Sequence, residues 1–103
     1  MSENSIKQIV REVVKGYSGK VLNGFSYLTH SDDDTVYTVV DVARLKRQHV
    51  SGVSLVVRIA GNKVIIERDQ NDKPLVDALT QAGIAREDII LAYAGEPVPQ
   101  LIP

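Results

Sequence analysis

Residues 53–68 read Val53-Ser54-Leu55-Val56-Val57-Arg58-Ile59-Ala60-Gly61-Asn62-Lys63-Val64-Ile65-Ile66-Glu67-Arg68, and this stretch decides the fold. Val53, Leu55, Val57 and Ile59 alternate with Ser54, Val56 and Arg58, which is the two-residue period of a strand with one face turned to a core. Gly61-Asn62 then supplies a two-residue turn, since glycine accepts positive φ without steric cost. Residues 63–68 return antiparallel. Valine and isoleucine dominate both arms, as a pleated, half-buried surface favours.

Outward from this hairpin, residues 35–42 (Thr-Val-Tyr-Thr-Val-Val-Asp-Val) are β-branched or aromatic almost throughout and predict a central strand. Residues 21–29 alternate weakly, with Leu22 and Leu28 on one face and Phe25 and Tyr27 on the other. They end in Asp32-Asp33-Asp34, whose short carboxylates suit a turn. Residues 43–51 read as a polar, basic connection holding Arg44, Lys46, Arg47 and His49. At the N-terminal side, Ile6, Ile9, Val10, Val13, Val14 and Tyr17 keep helical spacing and predict a helix over 5–17, with Ser5 and Gln8 at capping-box spacing and Gly16 and Gly19 as stop signals. On the C-terminal side, the loop Asp69–Asp72 offers an N-cap just before Pro74. Leu75, Val76, Leu79 and Ala82 then keep helical spacing and Gly83 closes the helix. Residues 84–88 read as a short turn, and residues 89–93 as a buried last strand. Residues 95–103, with three prolines, form an extended tail that joins neither ladder nor helix.

The expected architecture is therefore α+β: an N-terminal helix, a four-stranded antiparallel meander, a second helix and a final strand, in a single domain over residues 1–103. Two helices on one sheet face are the economical arrangement, because an antiparallel sheet needs only one covered face. The chain's 103 residues suit one domain with a radius of gyration of about 13 Å. The twelve basic and thirteen acidic side chains nearly balance, which gives no electrostatic reason to expect tight non-specific DNA binding. The absence of cysteine excludes disulfides, thiolate metal sites and cysteine nucleophiles. Met1-Ser2-Glu3-Asn4-Ser5 lacks a basic leader and an apolar run, and no stretch approaches the ~20 apolar residues of a membrane span, so a cytoplasmic location is expected.

Candidate chemistry is sparse. His30 and His49 lie in different connections without metal-ligand spacing. His30 beside Asp32–Asp34 has the residue types to collect a cation, but a solvated turn is the plainer reading. The acidic run also lacks the loop of a calcium site. Asp41 and Glu67 are the candidate buried acids, and no serine lies in a nucleophile elbow. No catalytic residue, cofactor or metal is assigned, and an enzyme is not expected. The one basic cluster, Arg44, Lys46, Arg47 and His49 with Lys20 nearby, reads either as a phosphate contact or as a solvated loop. No stacking platform of interleaved aromatics supports it. The tail has an equally open choice between a partner contact and a free terminus. An apolar sheet face bearing Val39, Val56 and Ile65 suggests a homodimer.

Gly61-Asn62-Lys63-Val64-Ile65-Ile66-Glu67-Arg68-Asp69, then Leu79, then Ala82-Gly83-Ile84, then Glu87-Asp88-Ile89-Ile90-Leu91-Ala92-Tyr93, resembles the XisI family. Tyr37 in its strand and Arg47 ahead of Gly52 resemble further landmarks, and the N-terminal helix fits. The likeness covers nearly the whole chain and is most specific from about Gly52 to Tyr93. The chain departs from the family pattern at Ile65, where a tryptophan is usual, and at Val56, where a histidine is usual. The resemblance implies a cyanobacterial fdxN element excision controlling factor. Such a factor acts beside XisH and a separate site-specific recombinase, which removes a DNA element during heterocyst development. The recombinase does the strand chemistry, so the implied role is accessory. An XisH-like protein is the implied partner, with direct DNA contact through Arg44, Lys46, Arg47 and His49 as the alternative.

Overall fold

A computed structural model describes residues 1–99, and the last four residues of the tail, 100–103, lie outside the described residues. Helix α1 (Glu3–Lys15) opens the chain. It starts two residues earlier than the spacing predicts, because Ser2 and not Ser5 is the cap. Ser2 Oγ accepts the Ser5 N–H at 3.1 Å, satisfying an amide that the first turn leaves unpaired. Ile6, Val10 and Val14 form the buried stripe of α1.

Six strands make one sheet in sequence order: β1 (Gly19–Val21), β2 (Gly24–His30), β3 (Val36–Leu45), β4 (Gln48–Ala60), β5 (Lys63–Asp69) and β6 (Ile89–Leu91). Strands β1 to β5 form an antiparallel meander, one strand longer than expected, and β6 pairs parallel to β5. The parallel pairing follows from the connection. Residues 70–88 carry helix α2 (Leu75–Gln81) across the sheet, and a chain that crosses over through a helix returns in the direction it left. Asp69 closes β5 and starts α2. Its Oδ2 accepts the Leu75 N–H at 2.6 Å and its Oδ1 accepts the Asn71 N–H at 3.0 Å. Pro74 takes the N-cap position, just outside the first turn where the sequence put it.

The last strand is shorter than expected. Leu91 N–H donates to Glu96 Oε1 at 2.8 Å and not to a strand, so the ladder stops there and Ala92–Ala94 coil into a 3-10 turn. Arg86 donates to Glu96 Oε2 at 2.9 Å and to the Ile89 carbonyl at 2.7 Å, which fastens the start of the tail back onto the body. The Leu91 amide and then Arg86 hold the Glu96 carboxyl below its ordinary pKa.

Both helices lie on one face, over Tyr37, Val39, Leu55, Val57, Ile59, Val64 and Ile66. Each of these apolar side chains contributes about 1.5–3 kcal/mol by burial. Tyr17 Oη donates to the Lys73 carbonyl at 2.9 Å and ties the end of α1 to the approach of α2. Gly24 is required where β2 meets β3, since a Cβ there would lie 1.9 Å from the Val42 carbonyl oxygen. Among the described residues no helix is long and apolar enough to cross a membrane.

The acidic turn between β2 and β3 is a hydrogen-bonded corner. Asp33 Oδ1 accepts from Ser31 Oγ, Thr35 Oγ1 and the Thr35 N–H at 2.7, 2.7 and 3.2 Å. Lys7 Nζ donates to the Asp33 carbonyl at 3.1 Å, and Asp34 lies 2.8 Å from His30 Nδ1 and 3.9 Å from Arg11. The corner therefore leans on α1. The Thr35 and Ser31 side-chain donors stabilise the ionised Asp33 carboxyl and lower its pKa to about 2. A carboxyl lowered on folding adds stability above its unfolded pKa of about 3.9, and that share is lost as pH falls through the folded value. The expected result is a corner that loosens between about pH 4 and pH 2, with an Asp33 carboxyl carbon midpoint near the lower end in an NMR titration. A midpoint near 3.9 would contradict the bonding described.

Candidate functional site

Arg44, Lys46, Arg47 and His49 do not lie in a loose connection. Strand β3 runs on to Leu45 and β4 begins at Gln48, so residues 43–51 are the tip of a second hairpin. Arg44 and His49 face each other across the ladder, and Lys46 and Arg47 form the turn. Both turn residues hold positive φ, 49° and 68°. For an L-residue this backbone costs about 1–2 kcal/mol, and asparagine or glycine would carry it more cheaply. The basic side chains at this turn are thus held against a backbone preference, which marks the turn for functional scrutiny.

The hairpin projects past both helices as an arm, and the molecule measures 45 Å along its long axis against 27 and 24 Å across. Two bulges shape the arm's base: one leaves Ser54 as the extra residue on β4, and the other leaves Glu67 extra on β5. On the face away from the helices, β3 presents Val40, Val42 and Arg44, β4 presents His49, Ser51 and Val53, and β2 presents Phe25 and Tyr27, because alternate residues share a face. The Phe25 and Tyr27 rings sit 4.8 Å apart, and Tyr27 is half exposed. Lys20 pairs with Phe25 from β1. A shallow cleft of about 230 Å³ lies between these rings, Asn23, Val42, Arg44 and His49.

The structure thus brings Arg44 and His49 beside an aromatic pair carried by β2, while Lys46 and Arg47 lie at the turn outside that cleft. The signal was present: the alternation Val40, Val42, Arg44 continues past the expected strand end. Arg44, Lys46 and Arg47 lie in no ion pair among the described residues, although Lys7, Arg11, Arg58, Lys63 and Arg86 each have a carboxylate partner.

The other candidates separate. Asp41 accepts from Ser26 Oγ at 2.6 Å on the helix side of the sheet, and Glu67 accepts from Arg58 Nε at 2.6 Å on the far side. These two carboxylates therefore do not act on one substrate. Among the described residues no group of three or more histidine, cysteine or carboxylate side chains is placed to hold a metal ion. The apolar face expected from Val39, Val56 and Ile65 does not exist as such. Val39 lies beneath the helices, and Ile65 is buried between its neighbours on β4 and β6, opposite Arg58 and Ile90. Exposed apolar side chains on the arm include Phe25, Tyr27, Val42 and Val53 on the face away from the helices and Leu45 and Val50 on the other.

The sequence model of the family described as XisI protein matches residues 2–102. Two solved structures share the fold. One is a XisI-like protein from Anabaena variabilis ATCC 29413, 14% identical, with a TM-score of 0.67 over 85% of this chain and 83% of that one. The other is the fdxN element excision controlling factor XisI from the same organism, 23% identical, with a TM-score of 0.64 over 84% of this chain and 88% of that one. No curated protein matches.

Relief of the strained turn is measurable. Arg47→Gly is expected to raise the stability of the chain by up to about 1 kcal/mol in chemical denaturation, because glycine accepts the left-handed backbone freely. Loss of stability in that variant would show that Arg47 makes a contact worth more than the strain.

Proposed function

The chain belongs to the XisI family, and on that premise we propose that it is a non-enzymatic accessory factor that controls excision of a DNA element through contact with another protein. The relative from Anabaena carries the name fdxN element excision controlling factor, which supports that element as the target. An XisH-like protein is the proposed partner, acting in the cytoplasm beside a site-specific recombinase.

The observation that carries a contact role is the bare outer face of the arm. Phe25, Tyr27, Val42 and Val53 are each more than a third exposed on one continuous sheet face. Contiguous apolar surface rimmed by polar groups is costly to leave in water and marks an interaction site. Tyrosine and arginine are the residue types that dominate binding energy at such patches. The test is to mix the purified chain with the XisH-like protein of its own organism and measure the mass of what elutes. A stable complex is expected, weakened about 30-fold by Tyr27→Glu, the loss that follows when a side chain worth ~2 kcal/mol is removed. No complex between two folded proteins would overturn this reading.

A second reading is favoured by the gathering of Arg44, Lys46, Arg47 and His49 at one tip beside two aromatic rings: direct contact with DNA. Salt separates the two. A phosphate-led complex weakens steeply with salt, by a logarithmic slope of about 0.9 per phosphate neutralised, and Arg47→Ala would lower that slope by about one contact. Absence of any complex with element-end DNA at low salt would remove this reading.

A further inference from the structure

We propose that the outer face of the arm receives an acidic amphipathic helix from a partner protein. Its apolar stripe lies on the valines and rings of that face, and its carboxylates meet the cations around them. This rests on the contact reading above and adds the chemistry of the partner.

The strand register lays the face out in rows, because residues paired across a ladder share a side of the sheet. Lys20, Phe25, Val42 and Ser51 form one row across β1 to β4. Tyr27, Val40 and Val53 form the next row toward the core, and Thr29, Thr38, Val56 and Arg68 the row after it. Arg44 and His49 form the row beside the turn. Apolar side chains therefore fill the middle, and cations stand on three sides: at the tip, on β1 and on β5. Arg68 Nε donates to the Val53 carbonyl at 2.7 Å, which holds its guanidinium against the patch. None of these rows contains a carboxylate. The strand carboxylates Asp41 and Asp69 lie in register with Gly52 and Leu55 on the helix side, and Glu67 is held by Arg58 at 2.6 Å. Lys20, Arg44 and Arg68 lie in no ion pair among the described residues.

Charge and shape together select the occupant. A second copy of this face brings the same cations and no free carboxylate, so it does not match. A phosphate backbone has no apolar surface to set on Val40, Val42 and Val53, so it leaves the centre unused. An acidic protein segment with an apolar stripe uses both parts. A sheet face, unlike a sheet edge, offers no backbone hydrogen bonds, so its occupant must satisfy its own, as a helix does. Three two-residue steps separate the Arg44 row from the Arg68 row, about 20 Å along the strands. About 13 residues of helix cover that length. From β1 to β5 the face measures about 19 Å across, at about 4.8 Å per strand. A helix about 10 Å wide, with carboxylate side chains on both flanks, reaches the cations at either border.

The probes are two fluorescein-labelled peptides of about 14 residues, each with leucine at helical spacing, one flanked by glutamate and the other by lysine. Fluorescence anisotropy with the full chain is expected to show the glutamate peptide bound at least about tenfold more tightly. Amide NMR shifts should fall on residues 25–27, 40–44 and 49–53 and not on the helices. Arg44→Glu and Lys20→Glu, at separate borders of the face, should each weaken binding about fivefold. Equal binding of the two peptides would overturn the proposal. So would shifts confined to another face, or binding of duplex DNA or phosphatidylserine vesicles alone. The XisH-like protein separates this proposal from the reading it rests on. A complex with that protein indifferent to both charge reversals would keep the partner and overturn the acidic helix. Binding of the glutamate peptide without any such complex would remove the partner and support the helix site.

Discussion

Strand β4 is too long for the helices that cover it, and most of the molecule's character follows from that mismatch. Helix α1 and strand β4 each have 13 residues. At 1.5 Å per residue the helix spans about 20 Å. At about 3.3 Å per residue the strand spans about 43 Å. Helix α2 is shorter still and sits over β5. One end of the sheet therefore forms the core and the other end projects beyond it, as the radius of gyration of 14.1 Å also reflects. The same sequence pattern, carried past the last helical contact, changes from a core into an interface.

On the projecting half, apolar side chains emerge on both faces: Val42 and Val53 on one, Leu45 and Val50 on the other. A sheet with a single covered face shows polar residues on its bare side, but here no such division holds. The turn at Lys46-Arg47 keeps two strained residues, and residues 48–53 of β4 have a strand on one side only. Each feature costs stability in an isolated chain, and each cost falls when another surface arrives. Exposed valine is desolvated, an open edge is bonded and an unpaired guanidinium meets an anion. The acidic corner that leans on α1, by contrast, satisfies the Asp33 carboxylate internally. Stability and exposure are thus divided along the long axis of one sheet.

The core half was legible in the sequence and the arm was not, for physical reasons. The hairpin about Gly61-Asn62 announces itself because glycine fits the positive φ at its first turn position. Helix α1 announces itself through a stripe at helical spacing, although its cap lay one turn earlier than expected. The Lys46-Arg47 turn has no glycine or asparagine, so charged residues at a hairpin tip looked like a solvated connection. The extra residue at Ser54 shifts the phase of β4, so the alternation of residues 55–59 does not extrapolate to 48–53. The direction of β6 carries no periodic signature. Only the long connection through α2 implies it. Ile65 shows the limit of patterning on a strand flanked on both sides: it lies off the helix-covered face and is still fully buried.

Whole-chain charge proved the weakest guide to the site. A net charge of -1 argues against an anionic partner, yet it averages an acidic body with a basic tip. Residues 40–53 hold three of the twelve lysines and arginines but only one of the thirteen carboxylates. That one, Asp41, faces the helix side and accepts from Ser26. At physiological ionic strength a charge is screened over about 8 Å. On a molecule 45 Å long, an approaching surface therefore meets the local charge of the arm and not the sum. A partner that docks on the outer face encounters cations next to aromatic rings.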